Sequence, residues 1–115
     1  MHILLVEDHT DTRVVLSRLL NRCGHHVAMA ANVRDALTLL GNMRFDVLLS
    51  DIGLPDGDGL QLVCEARKRQ PLKRAVALSA LATDEDRERG LRAGFDDYLT
   101  KPLDFRRLRT VLAIA

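Results

Sequence analysis

The chain has 115 residues, 47% of them hydrophobic and 29% charged, with 17 Lys and Arg against 16 Asp and Glu for a net charge of +1. That length supports one core and not two, so residues 1–115 are expected to form a single domain. Balanced charge offers no basic face for direct nucleic-acid binding, and no apolar run nears the ~20 residues of a membrane span.

The first expected strand is Ile3 to Val6, apolar throughout, and it hands over to Glu7-Asp8. Val15, Leu16, Leu19, Leu20 and Cys23 then share one helical stripe, with Gly24 as its stop and Thr10 or Asp11 placed to cap it. His9, between acid pair and helix, is expected to face solvent. A weaker strand covers His26 to Ala30. Asn32 caps a helix carrying Val33, Ala36, Leu37 and Leu40 and ending near Gly41-Asn42.

Val47 to Leu49 is the third strand, followed by Ser50-Asp51. Asp56-Gly57-Asp58-Gly59 lacks EF-hand spacing and reads as a turn leading into a helix from about Asp58, with Leu60, Val63 and Cys64 on one face and Pro71 beyond its end. Ala75 to Leu78 is the fourth strand, ending at Ser79. Thr83 or Asp84 opens a very polar helix with Leu91 near its end and Gly90 weakening it. A very short strand ends at Tyr98-Leu99, and after Pro102 a last stripe holds Leu108, Val111, Leu112 and Ala115. Cys23 and Cys64 have neither CxxC nor metal-ligand spacing and are expected to be buried thiols in a reducing compartment. With no signal-like segment in view, a cytoplasmic location is expected.

Strand and helix thus alternate five times. Apolar runs that suit strands buried on both faces imply a doubly wound α/β fold with a five-stranded parallel sheet. Ligands of such sheets bind beyond the carboxyl ends of the strands. Those ends present Glu7-Asp8, Asp51, Ser79 and, after Thr100, Lys101.

Glu7, Asp8 and Asp51 would crowd three carboxylates together. Two unit charges at 4 Å interact by roughly 4 kcal/mol at an effective dielectric of 20, so either one carboxyl keeps a proton or a cation fills the site. Hard oxygen ligands favour Mg²⁺. With Lys101 as counter-charge on the other side, the set suits a carboxylate that attacks a phosphoryl group, the Ser79 hydroxyl and local N–H groups completing the cradle.

This chain resembles, over essentially its whole length, the receiver domain of response regulators (the CheY-like superfamily). The acid pair in LLVEDH, the acceptor in LLSDIGLPDGDGL, the hydroxyl in VALSA and the lysine in DDYLTKPL carry the resemblance, in order and each at an expected strand end. It implies a flavodoxin-like (βα)5 fold with strand order 2-1-3-4-5. It also implies a two-component phosphorelay in which a histidine kinase or histidine phosphotransfer domain passes phosphoryl to Asp51. Mg²⁺ would be held by Glu7, Asp8, Asp51 and the Gly53 backbone carbonyl. Ser79 and Tyr98 match the family's switch pair, although an aromatic in a short strand reads equally as packing. Lys101 matches its lysine, with a cis Lys101-Pro102 bond.

Such a domain speeds its own phosphorylation and dephosphorylation, and the fourth helix, fifth strand and fifth helix would form its output face. Ser79 stands where the family often has Thr. Gly53 and Leu81 occupy positions that tune phosphoryl lifetime, and Leu81 would shield the acyl phosphate. EDHTDT and SDIGLPDGDGL are similar to receivers of hybrid histidine kinases; the chain itself, ending in its fifth helix, reads as a free-standing regulator or a piece of a longer protein. The alternative is a receiver-like interaction module that works without phosphorylation. A Mg²⁺-dependent phosphatase would need an acid where Gly53 stands, and a dinucleotide fold would need a glycine-rich loop in place of Glu7-Asp8-His9.

Overall fold

Strand and helix alternate as expected through residues 1–80 and 83–113, which the computed structural model describes. Leu81 and Ala115, both named above, lie outside the described residues. The elements are β1 (His2–Val6), α1 (Thr10–Arg22), β2 (His26–Ala30), α2 (Val33–Asn42), β3 (Val47–Asp51), β4 (Gly53–Leu54), β5 (Gly57–Asp58), α3 (Gly59–Arg69), β6 (Arg74–Ser79), α4 (Asp84–Ala93), β7 (Asp97–Thr100) and α5 (Phe105–Ala113). One parallel sheet runs β2-β1-β3-β6-β7, which is 2-1-3-4-5 when only its own strands are numbered. β4 and β5 form a small antiparallel ribbon that strand periodicity does not reveal, because each contributes two residues.

Both sheet faces are covered, which is why the strands read as apolar runs. Ile3, Leu5, Val47, Leu49, Val76 and Leu78 face α1 and α5, where they meet Leu16, Leu20, Leu108, Val111 and Leu112. Leu4, Val6, Leu48, Ala75 and Ala77 face the other way, onto Ala36 and Leu40 of α2 and Leu62, Val63 and Ala66 of α3. No helix among the described residues is long and apolar enough to cross a membrane.

Side chains begin most of the helices. Asn32, Asp58 and Thr83 accept the backbone N–H groups of Asp35, Gln61 and Asp86, each satisfying a donor the helix itself leaves open. Asp56, expected as a turn residue, does more: its carboxylate accepts from Val33 N and Arg34 N at 2.7 and 3.0 Å, tying the β4–β5 ribbon to the start of α2. Neither Thr10 nor Asp11 caps α1, whose N-cap is His9 with no side-chain cap bond. At its far end Gly24 follows with φ +91°, the stop the sequence announces.

Three apolar expectations need correction. Val15 is 55% exposed, and Cys23 and Cys64 are exposed thiols, not buried ones. A period of 3.6 locates the middle of a stripe, but its flanks depend on how wide the neighbouring element is.

Gln70, at the end of α3, is the main polar clamp beneath the sheet. Its buried amide oxygen accepts from Phe45 N at 2.8 Å while the amide nitrogen donates to Leu40 O at 2.8 Å and to Met43 O. Gln70→Leu orphans all three backbone groups. Because the loop end is open to rescue by water, the expected cost is about 2 kcal/mol, read as a lower urea midpoint at unchanged m-value.

Candidate functional site

The crevice at the carboxyl ends of β1, β3, β6 and β7 gathers the residues singled out above. Glu7 and Asp8 follow β1, Asp51 and Ser79 are the last residues of β3 and β6, and Lys101 follows β7. Registry sets their level: Val6 pairs Ser50, Asp51 pairs Leu78 and Ser79 pairs Thr100. Lys101 N donates to Ser79 O at 2.8 Å, locking the last loop to β6. The Lys101-Pro102 peptide is cis, as the resemblance implies.

Burial is uneven across the crevice. Glu7 is fully buried, Asp51 and Ser79 are nearly so, and Asp8 is exposed at the mouth. Lys101 Nζ lies 2.9 Å from Glu7 Oε1 and 2.8 Å from Asp51 Oδ1. It therefore bridges the two buried acids and does not stand across the pocket from them, as expected from sequence. The approach to Glu7 is a hydrogen bond, whereas that to Asp51 is close in distance but unaligned, and leaves the buried Oδ1 without a hydrogen-bond partner.

Oxygen atoms of Glu7, Asp8 and Asp51 all come within 4.8 Å of one another. The crowding splits the buried pair electrostatically. Burial, then the adjoining Glu7, pushes Asp51 up to about 8. Burial also acts to raise Glu7, but hydrogen bonds from Asp51, Lys101 and the His9 N–H outweigh it and hold Glu7 down at about 2. Near neutrality the pair thus shares one proton, and Lys101 balances the remaining charge. Clustered hard oxygens of this kind could hold a metal cation.

Two supporting residues escape a reading of the sequence. Arg13 donates from Nη1 to Glu7 O at 2.7 Å and so ties the acid-pair loop to α1. Gly59 opens α3 so close beneath Asp51 that a Cβ there would lie 2.3 Å from Asp51 O. The one signal for it is a glycine directly after the cap Asp58. Gly53, expected to lend its carbonyl, begins β4 and is exposed. Tyr98 is buried against the α2–α3 core side of the sheet, paired with Ala77. His9 is exposed, as expected.

Residues 3–113 match the family model described as "Response regulator receiver domain". An uncharacterized 14.6 kDa protein of Leptolyngbya boryana is 44% identical over 107 residues, covering 90% of this chain and 81% of that one. Response regulator protein PilR of Pseudomonas aeruginosa is 38% identical over 97% of this chain but only 25% of its own length. Sensor histidine kinase RcsC of Salmonella typhi is 33% identical over 99% of this chain and 12% of its own. Among solved structures, a response regulator of Burkholderia pseudomallei "with a phosphorylated aspartic acid, calcium ion and citrate" superposes with a TM-score of 0.90 at 29% identity, covering 96% of this chain and 65% of that one.

Proposed function

The chain belongs to the response regulator receiver domain family of two-component systems, and we propose that Asp51 is its phospho-acceptor, taking phosphoryl from a phosphohistidine on a kinase or phosphotransfer domain. The observation that carries this reading is a nearly buried Asp51 whose Oδ1 lacks a hydrogen-bond partner while an ammonium stands 2.8 Å away and two further acids crowd in. A phosphorylated aspartate in the similar Burkholderia protein supports it.

Asp51 must first give up the proton it holds below about pH 8. One carboxylate oxygen then attacks phosphorus in line with the P–N bond. The O–P bond forms as P–N breaks, and the released imidazole takes up a proton. Lys101 turns from Glu7 toward the charge gathering on the equatorial oxygens, and the Ser79 hydroxyl donates to another. Glu7, Asp8, Asp51 and the Gly53 carbonyl are the groups that would hold Mg²⁺, which when bound neutralises phosphoryl charge. Beside Lys101, a groove of about 420 Å³ lined by Val15, Leu19, Pro102, Leu103 and Phe105 is where the donor protein would lie; it explains the exposure of Val15.

Afterwards the acyl phosphate adds charge of about −1.5 to −2 and biases Ser79 and Tyr98 toward a second arrangement read at α4, β7 and α5. α4 suits that role, since Gly90 is its one buried residue. A cytoplasmic setting follows from this chemistry, and the output belongs either to a separate partner or to a longer protein.

Incubation with acetyl phosphate and Mg²⁺ followed by intact mass tests the reading. A gain of about 80 Da, one phosphoryl group, is expected in wild type and not in Asp51→Asn. An adduct that persists in Asp51→Asn, or none in wild type, sinks it.

A further inference from the structure

Gly90 sits inside α4 without needing to be glycine for its backbone: it is absent from the positive-φ positions, which are Gly24 and Gly94. Glycine in a helix interior costs stability relative to alanine, so something else must hold it there. The reason is Tyr98. A Cβ at position 90 would lie 2.9 Å from Tyr98 Cδ2 and 3.3 Å from Cε2, so the ring occupies the space a side chain would fill.

Arg87, three residues earlier and on the same helix face, closes the slot from outside with its guanidinium 5.8 Å from the ring centroid. Beside the ring and the guanidinium is a recess of about 130 Å³ lined by Arg87, Tyr98, Thr100, Pro102, Asp104 and Arg107. Tyr98 is therefore packed, at 6% exposure, on the border of an open space. β7 carries the ring's position onward, since Thr100 pairs Ser79 and Lys101 N bonds Ser79 O.

We propose that Gly90 and Arg87 are positioning residues: glycine makes the slot, arginine lids it, and together they set how much of the time Tyr98 is packed inside and hence the switching equilibrium of the phosphorylation site. The proposal rests on the receiver reading of Tyr98 and adds the residues that govern it. Because coupling is reciprocal, shifting the ring changes the response to phosphoryl, and phosphoryl shifts the ring.

The chain has one tyrosine and no tryptophan, so its tyrosine emission reports Tyr98 alone. Acrylamide quenching of the full chain without phosphodonor is compared for wild type, Gly90→Ala, Arg87→Ala and Arg87→Lys. Both alanine variants are expected to be quenched more strongly than wild type, Arg87→Lys to recover most of the protection, and the emission change on adding acetyl phosphate with Mg²⁺ to shrink in both alanine variants. Arg87→Ala keeps the test open should Gly90→Ala fold poorly. Quenching that matches wild type in both alanine variants overturns the slot. Stronger quenching with an unaltered acetyl phosphate response reduces the two residues to packing and overturns their positioning role. A wild-type chain that takes no phosphoryl group overturns the receiver reading, and the switching half of the proposal with it, while the donor-free quenching still decides the slot.

Discussion

Lys101→Met is expected to slow phosphorylation by acetyl phosphate by about 10²–10³-fold, the usual loss when one preorganised group facing transition-state charge is removed, while binding Mg²⁺ more tightly than wild type. The two effects have opposite signs because the ammonium has two tasks. It touches both Glu7 Oε1 and Asp51 Oδ1, so without phosphoryl it competes with any cation for those oxygens, and with phosphoryl it faces the developing charge. Isothermal titration with Mg²⁺ and the mass-adduct rate separate the two. A variant that loses both in parallel would show Lys101 to be a structural strut.

Stability falls in the same variant, in a pH-dependent way. Breaking a buried ion pair costs about 3–5 kcal/mol, and since Lys101 is 32% exposed the lower end applies. Asp51 has a folded pKa raised to about 8. Its protonated form therefore favours folding at pH below its unfolded value near 4, and that contribution is lost as pH rises through 8. Glu7 runs the other way: held at about 2, it contributes above its unfolded value and loses this only in strong acid. Over pH 5 to 9 it is thus Asp51 that gains charge, and Lys101 is the group that compensates it. The gap between wild type and Lys101→Met in urea should widen across that window, and saturating Mg²⁺ should narrow it.

How far these residues can be read without coordinates depends on what fixes their positions. The acid pair, Asp51, Ser79 and Lys101 each follow an apolar run, and a parallel sheet aligns strand ends by construction. Their convergence is therefore legible. Periodicity likewise gives Leu16, Leu20, Ala36, Leu40, Val63, Leu108 and Leu112 as core, and their burial bears this out. It fails at Val15, Cys23 and Cys64, on the flanks of their stripes. What no pattern carries is contact between neighbouring elements whose evidence is the lack of a side chain. Gly59 beneath Asp51 and Gly90 beside Tyr98 are of this kind. So are the Arg13 tie to Glu7 and the double grip of Lys101, since long polar side chains have many rotamers and their partner is settled only by packing.

Gly59→Ala is the second large effect. The Cβ it adds would lie 2.3 Å from Asp51 O and 3.1 Å from Asp51 C and Ile52 Cα. These are backbone atoms of a buried strand end and cannot rotate away. Gly59 N also donates to Ile52 O at 2.7 Å, so the start of α3 is held against β3 and a retreat breaks that bond. Separation to ordinary contact needs a shift of about 1 Å between α3 and β3. Overpacking of this sort costs about 1–3 kcal/mol, and a shift of about 1 Å at a reacting group can cost about 10²-fold in rate. Gly41→Ala is the matching control. It is an exposed residue near the end of α2 with nothing near its Cβ, and should gain about 0.4–1 kcal/mol with phosphorylation unchanged. Urea midpoints and mass-adduct rates on both variants check the pair. If both substitutions behave alike, Gly59 is not the seat on which Asp51 rests, and Asp51 must be held in place by Lys101 and the sheet alone.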